Sequence, residues 1–275
     1  MKHITLLFLS VAITGCGADK TDTGSSSDSG EDTGSEIVNP DSGEDTGVEE
    51  EGASISGSLF FEDGSPATGV QMRLCYGQCF PAMVDESGNF NYSGKGEGHY
   101  SLQAVKLGED TYAIPSTVVT IGTEDIAMDP WVIPAFSTNT DLTGTQDVEL
   151  ANNLIVSADS ASMTLGDYTE SEEKYIKSAF VPGDTAGIYL EEVSGEVLGV
   201  WYLANFDYRM DPGWAISGSP DLGLNEGETI QAYVADFAAK AWTLVGTYEV
   251  DASGALVGNP DNTGLIALSA LVLTR

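Results

Sequence analysis

From Ser54 onward the chain alternates apolar and polar positions with a period of two, the signature of half-buried β-strands. Ile55, Gly57, Leu59 and Phe61 share one face, while Ser54, Ser56 and Ser58 share the other. Val70, Met72 and Leu74 oppose Gln71, Arg73 and Cys75. Phe90 and Tyr92 oppose Asn89 and Asn91, and Tyr100, Leu102 and Ala104 oppose Ser101 and Gln103. Between these runs fall Asp63-Gly64-Ser65-Pro66 and Asp85-Glu86-Ser87-Gly88, in which Asp caps its own turn and Gly takes positive φ.

Beyond residue 135 the apolar runs lengthen. Leu154-Ile155-Val156, Val197 to Ala204, Ile230 to Val234 and Trp242 to Val250 read as strands, and the run from Val197 is apolar on both faces. Leu268 to Leu273 makes a closing strand too short to cross a bilayer. Val250-Asp251-Ala252-Ser253-Gly254-Ala255-Leu256 repeats the turn grammar of Val84 to Phe90 and predicts another hairpin. One short helix is expected where Thr169-Glu170-Ser171-Glu172 has the form of a capping box and Glu173 is spaced to pair with Lys177. The expected fold class is mainly β: two antiparallel β-sandwiches, at 54–134 and 135–275, the second of an immunoglobulin-like or related type.

Ile55-Ser56-Gly57-Ser58-Leu59, Asp63 to Val70, Val84 to Phe90 and Gly98-His99-Tyr100-Ser101-Leu102 follow one another in an order that resembles the carboxypeptidase regulatory-like domain. That resemblance implies a prealbumin-type sandwich over 54–134 that serves as an accessory or stalk module. The peptidase chemistry of such proteins resides in a separate domain, which nothing in this chain matches.

Ahead of the strands, the pattern changes twice. Lys2 is followed by the apolar run Ile4 to Ile13, then Thr14, Gly15 and Cys16. The run is too short to span a membrane stably and has the layout of a signal peptide. It resembles the lipobox of bacterial lipoproteins, with Ile13 where leucine is commoner. The resemblance implies that residues 1–15 are removed and that Cys16 is acylated as the mature N-terminus. Gly17, rather than Asp, follows the cysteine, which implies the outer membrane. Residues 16–53 are then built from Asp, Glu, Ser, Thr and Gly, with Asp28 to Gly34 recurring letter for letter as Asp41 to Gly47. Such a segment has nothing to bury against its chain entropy and reads as a disordered tether. A Gly/Ser-like coil of this length spans about 30–35 Å, and charge repulsion extends it further.

Charge and chemistry narrow the function. The 275 residues carry 43 Asp+Glu against 10 Lys+Arg, a net charge of −33. This excess repels nucleic acid and anionic headgroups, and favours solubility and cationic or basic partners. With Cys16 assigned to lipid, Cys75 and Cys79 remain, in an exported setting that favours a disulfide. The other reading, half of a zinc site, needs ligands that a mature chain with His99 as its one histidine does not supply. A nucleophilic triad needs a base, and His99, which opens a strand in Gly98-His99-Tyr100, reads as an edge residue rather than that base. Asp-Thr-Gly at 22–24, 32–34 and 45–47 copies an aspartic protease motif but lacks the apolar strands that hold one rigid. No Gly-x-Ser-x-Gly elbow, phosphate loop, dinucleotide fingerprint or His-Glu-x-x-His is present. The expectation is a membrane-anchored envelope lipoprotein, structural or binding in role, with no enzyme activity, cofactor or metal. Its partners are the membrane, through the lipid, and a cell-wall glycan or envelope protein. The alternative is a carbohydrate- or protein-binding receptor or adhesin that uses exposed aromatics at Tyr208 and Trp214 beside Asp211. An unrecognised hydrolase is a third reading and requires carboxylates clustered in a cleft.

Overall fold

A computed structural model describes residues 52–105, 111–167, 172–190 and 192–275. Cys16, the apolar leader and the acidic segment lie outside the described residues. The first half contains β1 (Ala53–Phe61), β2 (Gln71–Tyr76), β3 (Gln78–Met83), β4 (Asn89–Lys95), β5 (Gly98–Ala104), β6 (Ser116–Ile121), β7 (Ile126–Ala127) and β8 (Trp131–Ile133). The second contains β9 (Thr138–Asp141), β10 (Thr145–Glu149), β11 (Leu154–Asp159), β12 (Met163–Thr164), β13 (Tyr175–Pro182), β14 (Val197–Ala204) and β15 (Arg209–Trp214). It continues through β16 (Ile216–Gly218), β17 (Thr229–Asp236), β18 (Ala241–Val250), β19 (Leu256–Gly258), β20 (Leu265–Ala267) and β21 (Ala270–Thr274).

These strands stack as four layers. In the first half, β4-β1-β7, with β8 also paired to β1, faces the sheet β3-β2-β5-β6. Ile55 and Leu59 from one sheet, and Met72, Leu74 and Leu102 from the other, meet with Trp131 in a closed core. Most ladders are antiparallel, but β1 pairs with β7 and β8 in parallel, so this sheet is mixed. In the second half, a seven-stranded sheet runs β19-β18-β17-β21-β14-β13-β9, and β10-β11-β16 and β12-β15-β20 lie across it. That layout departs from the four-over-three sheets of an immunoglobulin fold.

The central strands of the seven-stranded sheet, β17, β21 and β14, are buried on both faces. Trp201, Leu203, Ile230, Val234, Leu271 and Leu273 point into the core shared with Val156, Met210 and Trp214. Their neighbours Val200, Tyr202, Ala235, Ala270 and Val272 point the other way, into a core that also takes Ala113 and Val118 from the first half. Two-sided burial explains why β14 and β21 read as unbroken apolar runs: alternation vanishes when neither face meets water. Trp201 also donates its indole N–H to the Ala151 carbonyl at 2.6 Å, so its one polar atom is satisfied inside the core.

The aspartate turns form as expected. Asp63, Asp85 and Asp251 each accept the backbone N–H two residues on, at 2.8–2.9 Å. Their carboxyls are held below the usual range, that of Asp63 first by the Ser65 hydroxyl, that of Asp85 first by the Asn89 N–H and that of Asp251 first by the Ser253 hydroxyl. The expected helix is corrected. Residues 168–171 lie outside the described residues, but Lys177 lies in β13, paired with Asn139 on one side and Ala204 on the other. Strand pairing of β13 to β9 and β14, two-sided at Lys177 and Ser178, outweighs a local capping pattern.

Cys75 and Cys79 are directly opposed in the β2–β3 hairpin and joined by a disulfide, with Cα atoms 4.0 Å apart. Cys75 does not face outward to water as its position beside Gln71 and Arg73 suggests, because it is only 1 % exposed. Ser101, its cross-strand partner in β5, is equally buried, as are Gln103 and Thr117 on the same sheet. The second half covers part of this sheet: the Lys240 ammonium sits 5.4 Å from the ring of Tyr76, at the hairpin tip. A bridge closing so short a loop contributes about 2 kcal/mol by the chain-entropy account. Replacing both cysteines by alanine should lower urea-unfolding stability by about that amount and leave the far-ultraviolet spectrum unchanged.

Candidate functional site

The aromatic platform expected at Tyr208, Asp211 and Trp214 is not formed. The segment is β15 rather than a loop, and Tyr208 and Trp214 are each 2 % exposed within the core under the seven-stranded sheet. Trp214 donates its N–H to the Ser162 hydroxyl at 2.9 Å, and Asp211, exposed, is held by its own backbone N–H on the Ser162 carbonyl at 3.1 Å. Pairing of β15 with β12 and β20 turns the two rings inward, so a Pro/Gly-bearing sequence that reads as a presenting loop is instead a core strand.

The same segment carries a partly buried ion pair. Arg209 donates to Asp236 at 2.6 Å, with Asp207 4.0 Å away. Asp236 also accepts the backbone N–H groups of Ala238 and Ala239, both at 3.1 Å, which pins the β17–β18 turn. Burial alone would raise the Asp236 pKa, but the Arg209 bond and these N–H groups outweigh it and hold the carboxyl below its usual range. Arg209 is raised in turn, chiefly by its bond to Asp236. Burial pushes the Tyr208 phenol up, assisted by the charge of Glu172. This cluster is closed on itself and ties β15 to β17.

His99, the one histidine among the described residues, lies at the surface. Its Nδ1 is 3.0 Å from the Thr120 hydroxyl and 3.7 Å from a Glu192 oxygen, and Thr120 itself donates to Glu192. A relay needs nucleophile and acid on opposite ring nitrogens. Here both partners share one nitrogen, so the arrangement is a surface hydrogen-bond cluster that fastens Glu192 to β5 and β6.

Two clefts remain. The larger, about 700 Å³, lies along β1 and β4 beside the end of β3. The cross-strand pairs Ser56–Asn91 and Ser58–Asn89 line it, with Met83 and Met128. The smaller, about 280 Å³, lies between the β15–β16 segment and the β18–β19 hairpin, with the 259–264 loop as its lip. Tyr248 and Ile216, both buried, form its floor; Ala215, Gly258, Asn259 and Thr263 form an exposed rim.

The loop at this smaller cleft is built to stay in place. The Asn262 amide donates to the Thr247 carbonyl and accepts the Thr247 N–H, each at 2.9 Å, so the side chain acts as a strand partner for β18. Asp261 N–H donates to the Asn259 carboxamide oxygen at 3.0 Å, closing the turn. Gly213 lets the loop approach, since a Cβ there would collide with the Thr263 carbonyl. Sequence reasoning passed over this site. The signal was the polar, turn-rich run Gly258 to Gly264 between two apolar strands, the kind of loop that carries binding groups on a rigid scaffold.

No family model matches the chain, and no curated protein matches it. Several solved structures are similar at a low level. The 5-hydroxyisourate hydrolase of Klebsiella pneumoniae is 20 % identical over 30 % of this chain and 90 % of its own, with a TM-score of 0.26. A DUF3823 family protein from Bacteroides ovatus is 13 % identical over 76 % of this chain and 75 % of its own, with a TM-score of 0.24. The major pilin subunit of Bacillus cereus is 10 % identical over 75 % of this chain and 84 % of its own, with a TM-score of 0.26. Likenesses this low carry no argument about what this chain binds or does.

The ion pair gives a test with a defined sign. The pKa of Asp236 is lowered on folding, so its contribution is complete above the unfolded value of about 4 and is lost as pH falls through the folded value. Arg209→Met should cost about 2 kcal/mol at pH 7, less than for a fully buried pair because Arg209 is a quarter exposed. The gap between parent and variant in urea unfolding should shrink below about pH 4 and stay constant from pH 6 to 8.

Proposed function

We propose that this chain is a lipoprotein of the cell envelope, held at the outer membrane by an acylated Cys16, whose β-sandwich body binds or bridges a neighbour and catalyses no reaction. The observation that carries this reading is the order of features in the sequence. An apolar segment ends in Thr14-Gly15-Cys16, an acidic and repetitive stretch follows, and the first strand begins at Ala53. Acylation of one cysteine supplies the attachment, and a charged, extended segment behind it holds a folded body away from the bilayer. The excess of carboxylates supports a body that stays clear of anionic headgroups and of its own copies. The closed ion pair at Arg209 and the one-sided geometry at His99 fit a scaffold better than a reaction centre.

A Cys16→Ser variant tests the anchor. Expressed in a Gram-negative host, the parent should fractionate with outer membranes and enter the detergent phase, while the variant should be recovered in the aqueous phase. Equal partitioning of both would overturn the lipid attachment. Protease treatment of intact cells, read by loss of the folded body, then separates display on the surface from a periplasmic position.

A further inference from the structure

The disulfide at the tip of the β2–β3 hairpin is asymmetric. Cys75 is 1 % exposed and stands opposite Ser101 of β5, which is equally buried, whereas Cys79 is exposed. Tyr76, Gly77 and Gln78, which close the tip, are exposed as well. β3 is the outermost strand of its sheet and pairs with β2 alone, so among the described residues no further strand of that sheet lies beyond Cys79. A bridge that serves stability gains most by closing a long loop, because the entropy removed from the unfolded chain grows with loop length. This one joins residues four apart, on a strand that ladders to β3 and β5 already hold.

Position decides which sulfur can react. Thiol–disulfide exchange is an in-line displacement, in which the attacking thiolate approaches from the side opposite the sulfur that leaves. The Cys75–Cys79 bond crosses from β2 to β3. Attack on Cys79 therefore comes from beyond β3, where the chain meets solvent, and expels Cys75. Attack on Cys75 has to come from over β5, where Ser101 is buried. A thiolate expelled into a buried position is unfavourable unless a donor meets it. Ser101 carries such a donor. It lies on the same face as Cys75, directly across the ladder, where Cβ atoms stand about 4.5–5.5 Å apart. Its hydroxyl is buried and makes no hydrogen bond. It needs no path from solvent, because the sulfur it serves is buried beside it.

We propose that the hairpin tip is a thiol–disulfide exchange site, at which a dithiol carried by another protein reduces the bridge through a mixed disulfide at Cys79. The partner's first thiolate bonds to the Cys79 sulfur while the Cys75–Cys79 bond breaks, and its electron pair stays on Cys75. The Ser101 hydroxyl donates to that thiolate until it takes up the proton released by the partner. The partner's second thiolate then displaces Cys79, which takes the second proton. The partner leaves as a disulfide, and this chain holds two thiols. The exchange is stoichiometric, one dithiol for each bridge, and does not depend on the lipid anchor. Both ladders of β2 remain, and the Cα atoms of the two cysteines, 4.0 Å apart, keep the thiols in register for the bond to re-form.

Two probes test this on the folded, full-length protein in detergent. Glutathione, a monothiol, stops at the first step, and N-ethylmaleimide traps whichever cysteine is released. Chymotrypsin then cuts after Tyr76, so mass spectrometry reads Cys75 and Cys79 on separate peptides. Glutathione should be found on Cys79 and the maleimide on Cys75. Dithiothreitol, standing for the partner's dithiol, should reduce the bridge at a rate proportional to its concentration, with the far-ultraviolet spectrum unchanged, and the bond should return when the reductant is removed. Ser101→Ala should slow the glutathione step about tenfold, the effect of one hydrogen bond to a charged sulfur, and leave the adduct on Cys79. Glutathione on Cys75, or a reduction rate that is independent of dithiothreitol because it waits for unfolding, would each overturn the proposal. Equal rates in the parent and Ser101→Ala would overturn the role of Ser101 in it.

Discussion

Burial of the central strands of the seven-stranded sheet on both faces is the constraint on which the rest of the molecule depends. A sheet that meets water on one side needs only one apolar face, and its strands alternate. Here Trp201 and Leu203 face one core while Val200 and Tyr202 face another, so β14 is committed to apolar residues at nearly every position. The same holds for β21, where Leu271 and Val272 point opposite ways. The outer core includes Val118 of β6 and Ala113, which makes the first sandwich part of the cover for the second. Buried Ser101, Gln103 and Thr117 follow from that cover, since they lie on a sheet face that alternation alone would leave wet.

This arrangement decides where function has room to reside. Residues that look reactive in isolation are absorbed by the scaffold: Arg209 and Asp236 close the β17–β18 turn, and His99 and Glu192 fasten a connecting segment. What is left for recognition is the rim of the sandwich, where loops and short edge strands meet. The cleft around Tyr248 lies there, and its lip is fixed to β18 by one asparagine.

The strands of the first half were legible because one face of each is polar. Ile55 and Leu59, Met72 and Leu74, and Phe90 and Tyr92 all point inward as their spacing predicts. The aspartate turns were legible for a different reason: the Asp63, Asp85 and Asp251 carboxylates meet donors two residues away, an interaction wholly contained in the local sequence. What failed was set at long range. Tyr208 and Trp214 follow a Pro/Gly-bearing stretch that looks like a loop, and only pairing with β12 and β20 makes it a strand with inward rings. Cys75 sits on the polar side of its strand, yet that side is buried at Cys75 and at Ser101 opposite it. Lys177 satisfies a helical pairing rule, yet strands on both sides claim its backbone. The Tyr248 cleft was hidden because its lining comes from segments far apart in the chain, joined by asparagine side chains whose spacing announces nothing.

If the shared core makes the two sandwiches one cooperative unit, they must unfold together. Trp131 lies in the core of the first and Trp201 in the core of the second, each fully buried. Two variants that each retain one of these as the sole tryptophan, with the others changed to phenylalanine, report the two halves separately by fluorescence during urea unfolding. Coincident transitions, with the same midpoint and slope in both variants after correction for each variant's own stability by circular dichroism, are the result expected. A Trp131 signal that unfolds in a separate step from the circular dichroism of the remaining sheet would show that the two sandwiches stand independently, and would contradict the account.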